Sequence, residues 1–404
     1  MFAAAIPRDV ELEFIDENME PVNFDDPVDF VGISMMLTTQ VKRGWQIADT
    51  YRAKGTKVIF GGISTMLHED ETRQHADSIF LGEAEGRMDA VFNDFKNGTL
   101  KKVYDFLNDF VSLELVGPAR RDIYKRDFYY HKGVQMVDLF HASRGCRFNC
   151  YPCAVSYLGG RHFRPRPIDK AIEEMAAIDN KRLFVVDNSL AQDTTWEMDL
   201  FREMIPLKKN WCSHTIEDKP KVLDLARQAG AWYVYQAIFD TSDYIRERVK
   251  MYHDHDIGVE GTILLGLDDH DEDGIKRLID FLLEIDLDLA EFTVLTPFPK
   301  TKAYDELRQQ NRIFNYNWDD YNADKVVYHP KLMTAEKLQE LHAYAWKKFY
   351  EHETQSFKMF NLIRKVILRE QALGTSTARR CPPIGKSLAG EIKPGSPMRS
   401  PADA

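Results

Sequence analysis

An α/β architecture is what this sequence predicts: a Rossmann-like unit, then a partial (β/α)6 barrel of the TIM type, then a helical C-terminal extension. Three observations predict it. Short apolar runs ending in Gly or Ser alternate with helical patterns from the N-terminus onward, which implies parallel sheet. The alternation continues for six further strand–helix units. After residue 310 it gives way to aromatics and then to apolar residues at helical spacing only.

In residues 1–125, Phe30-Val31-Gly32-Ile33-Ser34-Met35 reads as a strand. Val41 to Lys54 reads as a helix that Gly55 stops. Lys57 to Gly62 and Ser78 to Glu83 read as two more strands, each closing on glycine. In residues 126–310 the expected strands are Val134–Ser143, Arg182–Asn188, Asn210–His214, Trp232–Phe239, Gly258–Gly266 and Ala290–Thr296. Between the last two, Ile275, Leu278, Ile279, Leu282 and Ile285 mark one helical face. Residues 311–371 form the extension, where Leu338, Leu341, Ala345 and Phe349 line up at helical spacing for packing. Phe314, Tyr316, Trp318, Tyr321 and Tyr328 are either packing residues or the wall of an apolar pocket. Residues 372–404 are rich in Gly, Pro, Ser and basic residues and cannot bury enough surface to order themselves.

The chain has 404 residues, enough for two or three domains. Its net charge is −11, from 53 basic and 64 acidic side chains, which argues against nucleic acid as a partner. No apolar run is long enough to cross a bilayer, and the N-terminus lacks the basic start of a signal peptide. The expected location is the cytoplasm.

Three of the five cysteines, Cys146, Cys150 and Cys153, fall in eight residues as C-x-x-x-C-x-x-C, directly after the first barrel strand. Clustered thiols in a reducing compartment read as metal ligands. Three thiolates can hold three irons of a four-iron–four-sulfur cluster and leave the fourth open for chemistry. A structural zinc wants four ligands, commonly two C-x-x-C pairs, and here His141 or His162 would have to supply the fourth. Cys212 reads as a small core residue on a strand, and Cys381 lies in the tail.

The loop, with Arg144-Gly145 before it, resembles the signature of the radical S-adenosylmethionine (SAM) superfamily. Val186-Asp187-Asn188, the segment Gly258 to Gly266, and Leu295-Thr296-Pro297-Phe298-Pro299-Lys300-Thr301 resemble further family segments. Asp29 to Ser34, Val58 to Ser64 and Gly82-Glu83-Ala84-Glu85-Gly86 look like the cobalamin-binding domain that precedes the barrel in one subgroup. Val10 to Asn18 resembles the second strand of such a domain, whose first strand is then missing. Pro152 stands where the family usually carries an aromatic residue.

The resemblance implies that Cys146, Cys150 and Cys153 ligate the cluster, with SAM on the fourth iron, reductively cleaved to methionine and a deoxyadenosyl radical. It places Asp187 and Asn188 at the methionine end of SAM, and the backbone of Thr262, Ile263 and Leu264 at its adenine. Asp187 and Asn188 also read as a helix cap. Ser34, Thr38, Gly61, Gly62, Gly82 and Glu83 are the implied cobalamin contacts; the alternative is a domain kept only for packing. Arg161, His162 and Arg164 either meet a substrate carboxylate or lie in solvent. The implied function is cobalamin-dependent methylation of an unactivated carbon in a small or lipidic substrate, with ferredoxin or flavodoxin as reductant. The competing functions are a radical cyclase or rearrangement enzyme without methyl transfer, and a non-catalytic iron–sulfur protein.

Overall fold

The computed structural model describes residues 2–131, 134–135, 137–352 and 354–375. Cys381 and most of the expected tail lie outside the described residues. Two parallel sheets organise the chain. The first contains β1 (Phe30–Ser34), β2 (Lys57–Gly61), β3 (Ser78–Gly82) and β4 (Val103–Phe106), in that spatial order and all parallel. Helices α1 (Val41–Ala53), α2 (Glu69–His75) and α3 (Met88–Lys96) connect them. Gly55, at φ 90°, follows the end of α1, where the sequence places the stop.

Two expectations for this unit change. The stretch from Glu11 to Asp16 forms no ladder, so the strand anticipated there is absent and β1 is an edge among the described strands. An isolated extended segment with no neighbour to bond has no reason to stay in register. Conversely, β4 went unread. It is only four residues long and follows two lysines, and its pairing with β3 makes it a strand.

The second sheet contains β5 (Asp138–Phe140), β6 (Arg182–Val185), β7 (Asn210–Ser213), β8 (Ala231–Ala237), β9 (Gly258–Leu265) and β10 (Leu289–Val294). Each pairs in parallel with the next in sequence, giving the open six-stranded order of a partial barrel. The strand expected from Val134 to Ser143 is divided. Val134–Gln135 pairs antiparallel with Tyr130–His131, Asp138–Phe140 enters the barrel, and Ser143–Arg144 pairs antiparallel with Arg164–Pro165. The outer layer comprises α4 (Ile168–Ala177), α5 (Thr194–Met204), α6 (Pro220–Ala229), α7 (Asp243–Asp254) and α8 (Glu272–Glu284). Along β9, Val259, Ile263 and Leu265 join the core with the helices, whereas Glu260, Thr262 and Leu264 alternate to the other, concave face. The anticipated helical face is buried throughout: Ile275, Leu278, Ile279 and Leu282 on α8, with Ile285 just beyond.

After α9 (Lys302–Gln309), the extension straddles both sheets. Trp318, Tyr321 and Val327 enter the core of the first sheet. Tyr328 and, on α10 (Ala335–Tyr350), Leu338, Leu341, Ala345 and Phe349 enter the core of the second. Helix α11 (Gln355–Ala372) closes the described chain. The aromatic stretch is therefore mostly packing: Trp318, Tyr321 and Tyr328 are buried, while Phe314 and Tyr316 face solvent.

Candidate active site

The cysteine loop leaves the C-terminal end of β5, the end where barrel enzymes place their chemistry. Gly145 makes its first turn possible. Its φ is 74°, and a Cβ there would collide with the carbonyl oxygen of His162 and approach that of Gly159. Only glycine fits so close beneath the returning strand. Cys146 N–H donates to the Gly160 carbonyl (3.3 Å), and Cys153 N–H to the Cys150 carbonyl (2.9 Å). Cys146 is half-buried, whereas Cys150 and Cys153 are exposed. Although Cys153 is exposed as a residue, burial around its sulfur raises the thiol. The Val155 N–H opposes this, and the neighbouring thiols Cys150 and Cys146 add to the rise. Bound cations reverse such crowding by deprotonating their thiol ligands outright.

Among the described residues, no three His, Cys, Asp or Glu side chains converge as ligands of one ion. A mononuclear zinc site needs that convergence. A cubane does not, because each thiolate meets a different iron. His141 joins no such ligand group. Burial, then the Arg144 and Arg166 charges, push its imidazole down to about 3, and its buried Nε2 has no hydrogen-bond partner among the described residues. The donor set and the glycine turn fit an iron–sulfur cluster.

The loop is fastened from two sides. From the barrel, Asp187 just past β6 accepts from Ala142 N–H at 2.8 Å and from the Ser143 hydroxyl. Complete burial raises this carboxyl to about 6, against the lowering pull of the two hydrogen bonds. Each of its oxygens thus accepts a hydrogen bond from the chain, so Asp187 fastens the start of the loop. Asn188, the other residue expected at the methionine end of SAM, is exposed. Gln192, which the sequence reading missed, accepts Arg147 N–H at Oε1 (3.1 Å) and donates from Nε2 to Cys146 Sγ (3.5 Å). It belongs to no recognised motif and lies 46 positions from its thiol, so nothing in the sequence pointed to it.

From the first sheet, Arg144 meets Glu85 at 2.6 Å and Glu83 at 3.3 Å, and Arg164 meets Glu83 at 2.7 Å. Arg164 also stacks on Phe110, 4.6 Å from the ring centroid. Burial works to raise Glu83, but Arg164 and Arg144 outweigh it and hold the carboxyl low. Glu83 is thus an ion-pair partner of the cysteine loop, not a free cofactor contact. Arg164 is likewise occupied, and Arg161 bonds Asn149 at 2.9 Å.

The other expected cofactor contacts divide. Gly62 and Gly82 admit the chain's own backbone: a Cβ would lie 2.6 Å from the Met35 carbonyl oxygen and 2.5 Å from that of Phe106. Thr38 is buried and bonded to His68 Nε2 at 3.2 Å. Ser34 and Gly61, register partners at the C-terminal ends of β1 and β2, differ. Ser34 is exposed, and a Cβ on Gly61 would meet nothing within 4 Å. That pair fits a ligand set close against backbone.

On the barrel's concave face, Thr262 and Leu264 point inward while Ile263 packs in the core. Strand β8 ends at Ala237, opposite Thr262, so the edge of β9 past that pair has no strand partner on the β8 side. Phe184, His214 and Tyr235 come from three adjacent strand positions, with mutual ring separations of 5.4–5.6 Å. Strands two apart lie roughly 10 Å from each other, so side chains from β6 and β8 meet this closely only on the inside of a curved sheet. Tyr233 extends the group through a 3.0 Å bond to Tyr235. Cys212, between them, is buried and its thiol is pushed up to about 12 by burial, as suits an inert core thiol.

No family model matches the chain. Two curated relatives come from Chlorobaculum tepidum. Its bacteriochlorophyllide d C-12(1)-methyltransferase is 25% identical over 367 residues, covering 84% of this chain and 79% of the relative. Its bacteriochlorophyllide d C-8(2)-methyltransferase is 24% identical over 406 residues, covering 90% and 89%. Among solved structures, the radical SAM methyltransferase TsrM from Kitasatospora setae, with cobalamin and a 4Fe-4S cluster bound, has a similar fold. Its TM-score is 0.57 at 12% identity, over 71% of this chain and 65% of that one. No helix among the described residues is long and apolar enough to cross a membrane. The expected fold is thus borne out by the likeness to TsrM, and the expectation of an enzyme by the two relatives, both named methyltransferases.

Proposed function

We propose that this chain is a radical SAM enzyme that uses cobalamin to methylate an unactivated carbon of a small or lipidic substrate. The observation that carries the reading is the three-cysteine loop, built at the C-terminal end of β5 and tied through Arg144 to the glycine end of the first sheet. That tie holds the cysteine loop against the C-terminal end of the first sheet. When bound, the cluster, SAM and cobalamin supply the electron, the radical and the methyl group.

The chain's own residues do the holding. Cys146, Cys150 and Cys153 present three thiolates. Asn188 offers an unengaged polar group at the end of β6. Thr262 and Leu264 line the concave face for adenine. Ser34 and Gly61 form the open end of the first sheet for cobalamin. Phe184, His214 and Tyr235 wall the concave face with rings, which suits a flat apolar substrate. The bacteriochlorophyllide in the relatives' names is the substrate class we would try first.

The test is anaerobic purification with iron, sulfide and hydroxocobalamin, then reduction in the presence of SAM and bacteriochlorophyllide d. Deoxyadenosine and S-adenosylhomocysteine should both form. Absence of deoxyadenosine rejects the radical reading. Deoxyadenosine without S-adenosylhomocysteine, and without a methylated product, leaves the radical chemistry standing but rejects methyl transfer in favour of cyclisation or rearrangement.

A further inference from the structure

We propose that Gln192 is a positioning residue for the cluster, donating its side-chain amide N–H to the Cys146 thiolate and raising the reduction potential there. The proposal rests on the cluster reading above. Gln192 is 1% exposed, so its amide has no recourse to water. Its orientation is fixed from one end: Oε1 accepts the backbone N–H of Arg147, and a backbone N–H can only donate. The nitrogen must then face Cys146 Sγ, at 3.5 Å. A second N–H, from the backbone of Val155, reaches Cys153 Sγ at 3.5 Å. Cys150, exposed like Cys153, has no such donor among the hydrogen bonds of the described residues. The three sulfurs are therefore unequal, and of the two donors only Gln192 is a side chain.

The physical consequence follows from charge. An N–H aimed at a thiolate stabilises the more electron-rich state, and hydrogen bonds to the sulfurs are one of the levers that set an iron–sulfur potential. The same amide ties residue 147, inside the loop, to the segment after β6. It thereby fixes where the first ligand sits while Asp187 fixes the strand end before it.

The test uses the full-length, anaerobically loaded protein. With glutamine side-chain amides labelled by 15N, pulsed EPR of the reduced wild-type cluster should show a 15N coupling in place of the 14N coupling of unlabelled protein, and Gln192→Met should lose it. Gln192→Met keeps the volume but removes the donor. Its midpoint potential should fall, and iron should leave to a chelator about 10- to 100-fold more readily. Gln192→Glu sets a carboxylate against the thiolate and should lower the potential further. A variant that loses the cluster while melting at the wild-type temperature supports the proposal. A wild-type midpoint potential in Gln192→Met, or no 15N coupling in the wild type, overturns it. If the wild type takes up no cluster at all, it is the reading of the loop that fails.

Discussion

The two parallel sheets hold several of their shielded carboxylates in opposite states. Around the first sheet, Glu83 and Glu85 feel burial pushing them up, yet the arginines of the cysteine loop overcome it and keep both low. Around the second sheet, burial wins at three carboxyls, whereas Glu174, paired with Arg121 and Arg166, is held low. Glu197 rises to about 8, Glu260 to about 7 and Asp187 to about 6. The first set is ionised because it holds the two sheets together. In the second set Glu197 keeps its proton at neutral pH, Glu260 titrates near it and Asp187 below it. One unit's charges are structural ties, whereas these three carboxyls of the other are raised by burial. The glycines differ in the same way. Gly62 and Gly82 let the first sheet's own loops cross, while Gly145 shapes a turn that presents three thiols outward.

That contrast can be broken most severely at the cysteine loop. Cys150→Ala should lose the cluster and all SAM cleavage, read by iron content and deoxyadenosine. Gly145→Ala should do the same without touching a ligand, because the left-handed turn and the His162 carbonyl leave no room for a methyl group. Either variant retaining a full cluster would show that the loop is held differently.

The join between the sheets is tested next by Trp318→Ala. This indole is buried in the first sheet's core and donates to Glu71 at 3.0 Å, although it belongs to the extension after the barrel. The loss should be about 3–5 kcal/mol, measured by denaturant unfolding.

A gentler pair separates cofactor space from chain crossing within the first sheet. Gly82→Ala, at φ 102° and against the Phe106 carbonyl, should destabilise by more than about 1 kcal/mol. Gly61→Ala should change stability by less than about 1 kcal/mol, since its Cβ points into open space. If cobalamin sits there, Gly61→Ala should nonetheless co-purify with less of it, measured by absorbance; undiminished cobalamin would remove Gly61 from the site.

The last effect is on pH dependence. Glu197 is protonated in the fold up to about 8 but ionises near 4.5 once unfolded. Between these values unfolding releases a proton, so this group's contribution is present at low pH and lost as pH rises through 4.5 to about 8. The slope reaches at most about 1.4 kcal/mol per pH unit. Glu197→Gln should flatten the decline in stability across that window. An unchanged slope would mean that another group carries it.

What was legible in the sequence was whatever local pattern controls. Six barrel strands, the α8 face, the stop of α1 at Gly55 and the packing face of α10 follow from periodicity and backbone preference. Three cysteines in eight residues declare a metal loop because such spacing has few other uses. The missed or altered features all depend on partners distant in the chain. Residues 11–16 have strand-like composition but no neighbour, and β4 is only four residues long but has a good one. Asp187 looked like a ligand and is a fastener, because the amide of Ala142 and the hydroxyl of Ser143 reach it first. Glu83 looked like a cofactor contact and is the counterion of Arg164, 81 positions away. The sequence by itself determined which chemistry the loop can do, since thiol type and spacing are local. Only the tertiary structure decided which polar side chains remain free to serve it, because a buried charge or amide takes the nearest partner that folding supplies.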